Sequence, residues 1–327
     1  MFIINKNVII TGGCGFIGTN LVLDLLKNNN KIKVIDNLWR GEKKYIENLD
    51  NVSIIEEDLT DYQVCKDHIK DADIIFHLAE IVSGVKFAYE NEYFIYRKNS
   101  LINSNVLHAT IENNIKDYIY VGSACSYPKE KQWNKGLNYF KEEDAYPLEP
   151  ETSYGMTKFL GEYEALLAMK ENKINVGILR LHNVYGPYCS LDLERMQVIP
   201  SLILKTIKSK DNKLEVWGSG NQYRDFIYVD DVIEGLKRIY EKGMNKGVIQ
   251  IGAGFPTSIK DTAQYIINIH QKNTNQKVEL FFDTTKLEGD FGRISINTKA
   301  EEILDLKCKI GVEEGLNKLY DWINIHI

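Results

Sequence analysis

Ser123, Tyr154 and Lys158 have side chains that could together remove the proton of a hydroxyl group. Tyr154 and Lys158 lie four residues apart in a segment predicted to be helical, so their side chains share one face of that helix. A phenol with a pKa of about 10 is a poor base at neutral pH, but a neighbouring ammonium group stabilises its phenolate. Ser123 follows an apolar segment and would orient the substrate hydroxyl. Because Y-x-x-x-K pairs are also common on solvated helices, oxidation of the hydroxyl needs a separate hydride acceptor.

A glycine-rich segment, residues 11–18 (T-G-G-C-G-F-I-G), is typical of a loop that binds a dinucleotide. It follows the apolar run 8–10 and leads into a predicted helix, 19–27. Glycines permit the tight turn and let the backbone approach a pyrophosphate, while the helix N-terminus presents N–H groups to the phosphates. We therefore predict cofactor contacts from Gly12, Gly15, Phe16, Ile17 and Gly18.

An acidic residue after the second predicted strand bears on the form of the cofactor. The strand covers 31–35, and Asp36 follows it about 20 residues after the glycine loop, where a carboxylate holds a ribose 2′-hydroxyl. Its charge would repel a 2′-phosphate, although the nearby Arg40 leaves NADP open. We therefore predict NAD as the cofactor.

The composition argues against several classes of partner and site. A formal charge of −6 without basic blocks gives no footprint for nucleic acid or for an anionic membrane. No apolar run reaches bilayer length, and residues 1–8 are interpreted as the first strand rather than as a signal peptide, so we expect a cytoplasmic protein. The five cysteines are odd in number and lack C-x-x-C spacing, so neither a disulfide framework nor a metal site is predicted.

Strands that alternate with helices would position these residues. The apolar segment 72–78 is continuous, which indicates burial on both faces, as in a parallel sheet covered by helices. The other strands predicted before residue 182 are 8–10, 31–35, 52–56, 118–122 and 175–181. We predict an α/β fold with a Rossmann-type, doubly wound parallel sheet and a smaller, interleaved α/β substrate domain. The first would comprise 1–181 with about 226–252, and the second 182–225 with 253–327.

Several motifs resemble the extended short-chain dehydrogenase/reductase superfamily, and the similarity covers nearly the whole chain. They are the glycine loop, Ser123, Tyr154-Gly155-x-x-Lys158, Arg180-x-x-Asn183-x-Tyr185-Gly186-Pro187 and Arg224-Asp225-Phe226-Ile227-Tyr228-Val229-Asp230-Asp231. Within the superfamily, 123–132, 141–150 and 180–187 are most similar to the GDP-mannose 3,5-epimerase family. The resemblance implies that Tyr154 and Lys158 drive transient oxidation at C4 of a sugar. The remaining residues assigned to the cofactor, besides Tyr154 and Lys158 themselves, are Asn37, Asp58, Leu59, Leu78, Ala79 and Asn99, the last of which could also be a polar residue on a helix surface.

Cys125 carries the most specific hypothesis. In the 3,5-epimerases the matching cysteine is an acid/base, so the resemblance implies that Cys125 exchanges a proton at C3 or C5. A ketone at C4 makes those hydrogens acidic, and a thiolate can remove one. In the related 4,6-dehydratases the corresponding pair is Asp-Glu, which is Ala124-Cys125 here and argues against dehydration. The alternative is a small cysteine packed under the sheet.

Inversion also needs a proton donor on the opposite face of the sugar. The resemblance implies a lysine within the segment 194–200, but no lysine is present there. Neither Arg195 nor Gln197 can be assigned in its place. Inversion at two centres therefore stays open.

For the substrate, the resemblance implies that Asn183 and Arg224 hold the diphosphate of a sugar nucleotide. Arg293, in G-D-F-G-R-I-S, is expected to join them. Two arginines would supply the positive charge that an acidic protein needs for such a ligand. The alternative is that both form surface salt bridges. His77 and His182, at predicted strand ends, are interpreted as structural.

These features predict an NAD-dependent epimerase of a nucleoside-diphosphate sugar, with a GDP-sugar favoured. The alternatives are a C4 dehydrogenase or ketoreductase, or a 4-epimerase, with Cys125 structural. A silent nucleotide-sugar sensor is disfavoured because Ser123, Tyr154 and Lys158 occur together. Two long helices, about 92–113 and 153–171, resemble those that form a four-helix bundle in superfamily dimers, so we expect a homodimer.

Overall fold

The fold is that of a computed structural model, which describes residues 3–82, 84–134, 136–192, 196–286 and 289–327. The strands in chain order are β1 (Asn7–Thr11), β2 (Lys31–Ile35), β3 (Val52–Ile55), β4 (Ile74–His77), β5 (Asp117–Ser123), β6 (Tyr139–Phe140), β7 (Asn175–Leu181), β8 (Asn183–Tyr185), β9 (Lys213–Trp217), β10 (Tyr223–Tyr228), β11 (Val248–Ile251), β12 (Pro256–Ser258), β13 (Glu279–Asp283) and β14 (Gly292–Ser295). The α-helices are α1 (Phe16–Leu26), α2 (Tyr62–His68), α3 (Val85–Glu90), α4 (Glu92–Glu112), α5 (Lys129–Trp133), α6 (Ser153–Lys170), α7 (Val198–Ile207), α8 (Val229–Arg238), α9 (Ile259–Thr274), α10 (Thr298–Leu304) and α11 (Val312–His326).

The large sheet contains, within these described ranges, seven parallel strands in the order β11-β7-β5-β4-β1-β2-β3. β1 lies between β4 and β2, so the strand order reverses there, which places a ligand crevice at the carboxyl ends of β1 and β4. The predicted α/β fold with a doubly wound parallel sheet is confirmed. Strands that precede residue 182 form most of it, and β11 adds the edge strand beside β7.

Helices cover both faces of the large sheet, which explains why its strands are continuously apolar. Successive strand residues point to opposite faces, so Ile9 belongs to one apolar core and Ile10 to the other. On the face of Ile9, α4 contributes Val106 and α6 contributes Ala165. The two long helices thus lie side by side on one face, and α6 also packs against β5.

A second sheet combines segments from distant parts of the chain. β10 pairs with β8, β12 and β14, and β14 also pairs with β6, which comes from the connection between β5 and α6. In this register Arg224 of β10 lies beside Arg293 of β14. β9 and β13 form a separate pair. Strand pairing therefore links the segment before α6 to the C-terminal third of the chain.

The predicted domain division stays a prediction, and two strands bear on it. β10 crosses the expected boundary at residue 226, and β6 lies within 1–181 although it belongs to the second sheet. The first strand begins at Asn7, so its predicted start was too early, and residues 1 and 2 lie outside the described part of the chain. None of the described helices combines the length and the apolar character that crossing a bilayer requires.

Candidate active site

The glycine loop connects β1 to α1 at the crevice. Gly12 has a φ of +69°, and a Cβ at this position would lie 2.8 Å from Cα of Ala79, so only glycine fits without displacement. A Cβ on Gly18 would collide with the carbonyl oxygen of Gly12. Among the described side chains none caps α1, so the first N–H groups of this helix, from Phe16 onward, can bind an anion. The loop therefore fits the pyrophosphate of a dinucleotide.

Asp36 lies directly beside the glycine loop. Its Oδ2 accepts a hydrogen bond from the N–H of Cys14 at 3.0 Å, and its Oδ1 accepts one from the N–H of Leu38 at 2.9 Å. Burial raises the pKa of Asp36, and these two hydrogen bonds oppose the shift because they favour the carboxylate. Asn37 is exposed and accepts a hydrogen bond from the N–H of Trp39. A carboxylate thus lies at the end of β2, as ribose binding requires.

Asp58 and Leu59 follow β3, and Asn99 lies in α4. Asp58 forms an ion pair with Lys98 at 3.0 Å, and Leu59 is buried next to it. Asn99 is fully buried, accepts a hydrogen bond from the N–H of Ile81 at 2.7 Å and donates one to the carbonyl oxygen of Ile81 at 3.2 Å. The helix-surface alternative for Asn99 is therefore wrong, since its amide holds the segment that follows β4.

Thr11 joins the ends of β1 and β4. Its hydroxyl oxygen accepts hydrogen bonds from the N–H groups of Leu78 and Ala79 at 3.2 and 3.3 Å, and lies 2.7 Å from Nδ1 of His77. Nε2 of His77 lies 2.9 Å from Oδ1 of Asn103, and burial lowers the pKa of His77 to about 3. Leu78 and Ala79 are thus held against the glycine loop by a neutral, fully hydrogen-bonded histidine and a threonine.

Ser123, Tyr154 and Lys158 meet at the carboxyl end of β5. Ser123 is the last residue of β5, and Tyr154 lies in the first turn of α6, which Thr152 caps. The side chain of Ser123 interacts with the phenol of Tyr154 and favours its ionised form. The ammonium of Lys158 lies 5.9 Å from the ring centroid of Tyr154 and donates to the carbonyl oxygen of Val121 at 2.7 Å. The structure therefore brings together the three residues that the sequence singled out.

The environment of Tyr154 keeps it protonated. Its pKa is raised well above the usual value by burial first, and then by the charges of Glu80 and Cys125. The interaction with Ser123 opposes this shift. Further positive charge is therefore needed before Tyr154 can act as a base.

Glu80 is a candidate that sequence reasoning missed. Its carboxylate lies 3.0 Å from the ammonium of Lys158, and the two side chains are only 1% and 5% exposed. Oε1 of Glu80 also accepts hydrogen bonds from Asn103 Nδ2 at 2.9 Å and from the hydroxyl of Tyr120 at 3.2 Å. Burial raises the pKa of Glu80, and Lys158 is the main group that opposes this. The available signal was an acidic residue directly after an apolar strand, in H-L-A-E at 77–80.

Cys125 lies in the short helical turn after β5, next to the serine and one of the predicted arginines. Its N–H donates to Oγ of Ser123 at 3.2 Å, and its Sγ lies 3.5 Å from Nη1 of Arg293. The residue is partly exposed, so it is not packed under the sheet. Cys14 differs, because it is buried and burial raises the pKa of its thiol to about 12. Of these two thiols, Cys125 is the one beside the predicted catalytic residues.

Asn183, Arg224 and Arg293 lie on the adjacent strands β8, β10 and β14. The Asp290 carboxylate lies between the arginines, with 3.1 Å from its Oδ1 to Nη1 of Arg224 and 3.8 Å from its Oδ2 to Nη2 of Arg293. Both guanidinium groups are largely buried, so surface salt bridges are excluded. Burial lowers the pKa of Arg224, and Asp290 opposes the shift. Two neighbouring cations that share one carboxylate are suited to binding a larger anion.

The segment expected to carry a second acid or base is described only in part. Glu194 and Arg195 lie outside the described residues, so the structure gives no position for them. Gln197 is exposed and immediately precedes α7. The second proton donor therefore stays unassigned.

His182 is buried beyond the end of β7. Its Nε2 lies 3.0 Å from Oε1 of Gln250, and its Nδ1 lies 3.7 Å from Oδ2 of Asp225. Burial lowers the pKa of His182, and Asp225 opposes the shift. In the part of the chain that the structure describes, no group of three or more His, Cys, Asp or Glu side chains could hold a metal ion.

The chain is similar to proteins of known family. A model described as the NAD dependent epimerase/dehydratase family matches residues 8–252. The GDP-mannose 3,5-epimerase of Arabidopsis thaliana is 28% identical over 325 residues, covering 99% of this chain and 83% of that protein. A UDP-N-acetylglucosamine 4-epimerase from Methanobrevibacter ruminantium M1, solved with UDP-N-acetylmuramic acid, aligns with a TM-score of 0.86 and 26% identity over 99% of this chain and 100% of that one. The Bordetella bronchiseptica enzyme WbmF in complex with NAD+ aligns with a TM-score of 0.79 and 25% identity over 99% and 94%.

Proposed function

Since the chain belongs to the NAD-dependent epimerase/dehydratase family, we propose that it is a nucleoside-diphosphate-sugar epimerase that transiently oxidises C4 of its substrate. The thiol of Cys125 carries this proposal: its Sγ lies 3.5 Å from Nη1 of Arg293, and the residue follows Ser123 by two positions, so the sulfur would lie between the oxidation site and the diphosphate site. A GDP-sugar is the favoured substrate, which the similarity to a GDP-mannose 3,5-epimerase supports.

The cofactor of this enzyme is NAD, which when bound supplies a reversible hydride acceptor. We infer that the N–H groups at the start of α1 hold its pyrophosphate and that Asp36 holds a ribose hydroxyl. The positive φ of Gly12 and the close approach of Ala79 keep this binding surface free of side chains. In an epimerase the hydride would return to the sugar, so the cofactor would not be consumed.

Tyr154 would take the proton of the C4 hydroxyl. Ser123 interacts with Tyr154 and would share the substrate hydroxyl, which would fix the direction of proton transfer. Lys158 and the positive charge of the oxidised cofactor would both favour the phenolate. The two helical residues and the strand-end serine thus form one proton acceptor.

Cys125 would exchange the proton at C3 or C5 once C4 is a ketone. Nη1 of Arg293 lies 3.5 Å from the sulfur. Arg293 is therefore proposed to position the thiol in addition to binding the substrate.

The diphosphate of the substrate would bind at Arg224 and Arg293, with Asn183 on the adjoining strand. Guanidinium groups recognise phosphate oxygens through paired hydrogen bonds. Asp290 occupies the same two cations, so the diphosphate would replace its contacts. This local positive charge allows an anionic ligand to bind a chain of net charge −6.

Solvent-deuterium exchange tests the proposal. The purified protein is incubated with GDP- and UDP-sugars in deuterium oxide, and the sugars are analysed by NMR. We expect deuterium at C3 or C5 of a GDP-sugar, and loss of this label in Cys125→Ser. Cys308→Ser is the matched control, because Cys308 is also partly exposed but donates to the carbonyl oxygen of Gly252.

Other outcomes separate the alternatives. Label at C3 or C5 that persists in Cys125→Ser would contradict the role of the thiol. Inversion at C4 without label would favour a 4-epimerase, the second candidate, which the structural similarity to such an enzyme supports. Stoichiometric NADH without an epimer would indicate a net dehydrogenase.

We also propose that the protein is a homodimer. α4 and α6 pack side by side, and both leave large apolar or aromatic side chains exposed, among them Tyr93 and Tyr96 on α4, and Tyr163 and Leu167 on α6. Exposed apolar and aromatic side chains on neighbouring helices are typical of a protein interface. Two copies of this helix pair would form a four-helix bundle.

A further inference from the structure

We propose that Glu80 is a positioning residue that holds the Lys158 ammonium and cancels its charge, so that Tyr154 becomes a base only after the positively charged cofactor has bound. The inference rests on the proposed roles of Tyr154 and Lys158. Glu80 would not contact the substrate but would affect the ionisation of Tyr154 through Lys158.

The contacts of Glu80 with Lys158 and Asn103 favour its ionised form. Oε1 accepts hydrogen bonds from the amide of Asn103 and the hydroxyl of Tyr120, and Oε2 lies 3.0 Å from the ammonium of Lys158. The Asn103 amide and the Lys158 ammonium can only donate here, so both favour the carboxylate, whereas the Tyr120 hydroxyl can donate or accept and also lies 3.3 Å from the carbonyl oxygen of Lys158. Two opposite charges at this distance in a buried site compensate each other.

A buried chain of contacts fixes the position of this carboxylate. Thr11 contacts His77, His77 contacts Asn103, and Asn103 donates to Glu80 at 2.9 Å. The orientation of the Asn103 amide follows from its neighbours, because Nδ2 also faces the carbonyl oxygen of Thr157. The chain begins beside the glycine loop and ends at the catalytic lysine. Glu80 therefore connects the cofactor loop to Lys158.

The ammonium of Lys158 has three N–H donors. One is directed to the carbonyl oxygen of Val121 at 2.7 Å, and the carboxylate of Glu80 lies 3.0 Å away. The remaining donor is available for the cofactor or for the phenol. Lys158 is thus fixed in position, while its charge is compensated.

Charge compensation changes what activates Tyr154. An unpaired ammonium would favour the phenolate, but Glu80 is the strongest charged group that disfavours it. The pair as a whole therefore contributes little to ionising Tyr154. The positive charge of oxidised NAD then becomes the decisive contribution, and proton removal is linked to the presence of the hydride acceptor.

The surrounding titratable groups do not supply the positive charge that Tyr154 needs in order to ionise. Several titratable groups interact electrostatically with Glu80 or with its partners. They are Tyr154, Lys158, Glu162 and Glu164 of α6, Tyr118 and Tyr120 of β5, His77 of β4, Cys125 and Arg40. His77 is neutral because burial lowers its pKa to about 3, and burial keeps Tyr118 and Tyr120 protonated. Arg40 favours the phenolate, but it contributes less than Glu80 and Cys125 do in the opposite direction.

The test follows the ionisation of Tyr154 directly, in protein labelled with [13Cζ]tyrosine and freed of NAD. Tyr154→Phe identifies the resonance, and the pH is raised while the fold is monitored. We expect Glu80→Gln, which keeps an acceptor for Asn103, to lower the pH at which Tyr154 ionises by about one unit or more. Glu164→Gln is the matched control, because it removes a partly buried carboxylate from the same helix as Lys158, where it accepts a hydrogen bond from Ser104.

Adding NAD to the unsubstituted protein is a second measurement that does not depend on how Glu80→Gln folds. NAD should lower the ionisation pH of Tyr154, and the acidic limb of the kcat profile should lie at lower pH in Glu80→Gln. Equal ionisation of Tyr154 in Glu80→Gln and the unsubstituted protein would overturn the proposal, as would ionisation unaffected by NAD. Because the NMR titration uses no sugar, it remains decisive even if the proposed epimerase activity fails.

Discussion

At the scale of single residues, Asp290 places a negative charge where the substrate diphosphate is proposed to bind. It contacts Arg224 and Arg293, whose guanidinium groups are buried and need a counter-charge. The single carboxylate of Asp290 compensates only part of the combined charge of the two arginines. The substrate must therefore compete with an internal anion. Each arginine should contribute to substrate binding only the difference in free energy between its contact with the diphosphate and its contact with Asp290.

Replacing Arg224 by glutamine should weaken substrate binding more than it slows the chemical steps. We expect KM for the nucleoside-diphosphate sugar to rise roughly 10- to 100-fold with little change in kcat, because a hydrogen bond to a charged group contributes about 1.5–3 kcal/mol. Steady-state kinetics with a GDP-sugar would measure this.

Arg238→Gln provides the control for Arg224, since Arg238 pairs with Glu234 on α8. Its KM should be unchanged. An unchanged KM in Arg224→Gln would show that the diphosphate binds elsewhere, whereas a lower kcat alone would place Arg224 in the chemical step.

At the scale of elements, the turn between β1 and α1 depends on the backbone conformation of Gly12. The positive φ and the 2.8 Å approach to Ala79 leave no room for a methyl group. Non-glycine residues pay about 1–2 kcal/mol in this conformation before any steric overlap is counted. A side chain here would push β4 away from the glycine loop.

The substitution Gly12→Ala should therefore reduce the fraction of purified protein that carries NAD. The bound NAD can be measured by its absorbance after acid extraction, and circular dichroism can verify the fold. Gly311→Ala is the control, because a Cβ at Gly311 meets no atom within 4 Å and its φ is negative. Full NAD content in Gly12→Ala would contradict the proposed position of the pyrophosphate.

α6 shows why some of the site could be predicted from short segments. Tyr154 and Lys158 share a helix face because of their spacing, and Thr152 caps the helix with a hydrogen bond from the N–H of Gly155. These relations are local and therefore visible in the sequence. The buried ion pair of Glu162 with Arg180 was not predicted, because it forms only when α6 packs on β7.

At the scale of the molecule, the exposed apolar and aromatic side chains on α4 and α6 favour self-association. Light scattering should give twice the chain mass of 37.7 kDa. Tyr163 and Leu167 are 47% and 42% exposed, so replacing both by lysine should place charges in the interface and yield monomers.

Phe281→Lys is the control for this double substitution, because Phe281 is also an exposed aromatic residue but lies on β13. It should remain dimeric. A monomeric unsubstituted protein would refute the homodimer, and a dimer that survives the double substitution would show that other elements form the interface.

The fold and the family were predictable because their signals are contiguous. The glycine loop, Asp36 and the alternation of strands and helices indicated a doubly wound sheet and NAD, which the strand order and the family match confirm. Glu80 and Asp290 were missed because their partners are distant in sequence. Glu80 meets Lys158 through the packing of α6 on the large sheet, and Asp290 meets Arg224 through the pairing of β14 with β10.

The strand pairings also limit how this chain can be recombined with a relative. A single crossover after residue 181 would join the N-terminal part of one parent to the C-terminal part of another. β6 of the first parent would then face β14 of the second, and β7 would face a foreign β11. Exchanging the C-terminal part alone therefore should not transfer substrate preference. A working chimera would also need compatible residues where β6 pairs with β14 and where β7 pairs with β11.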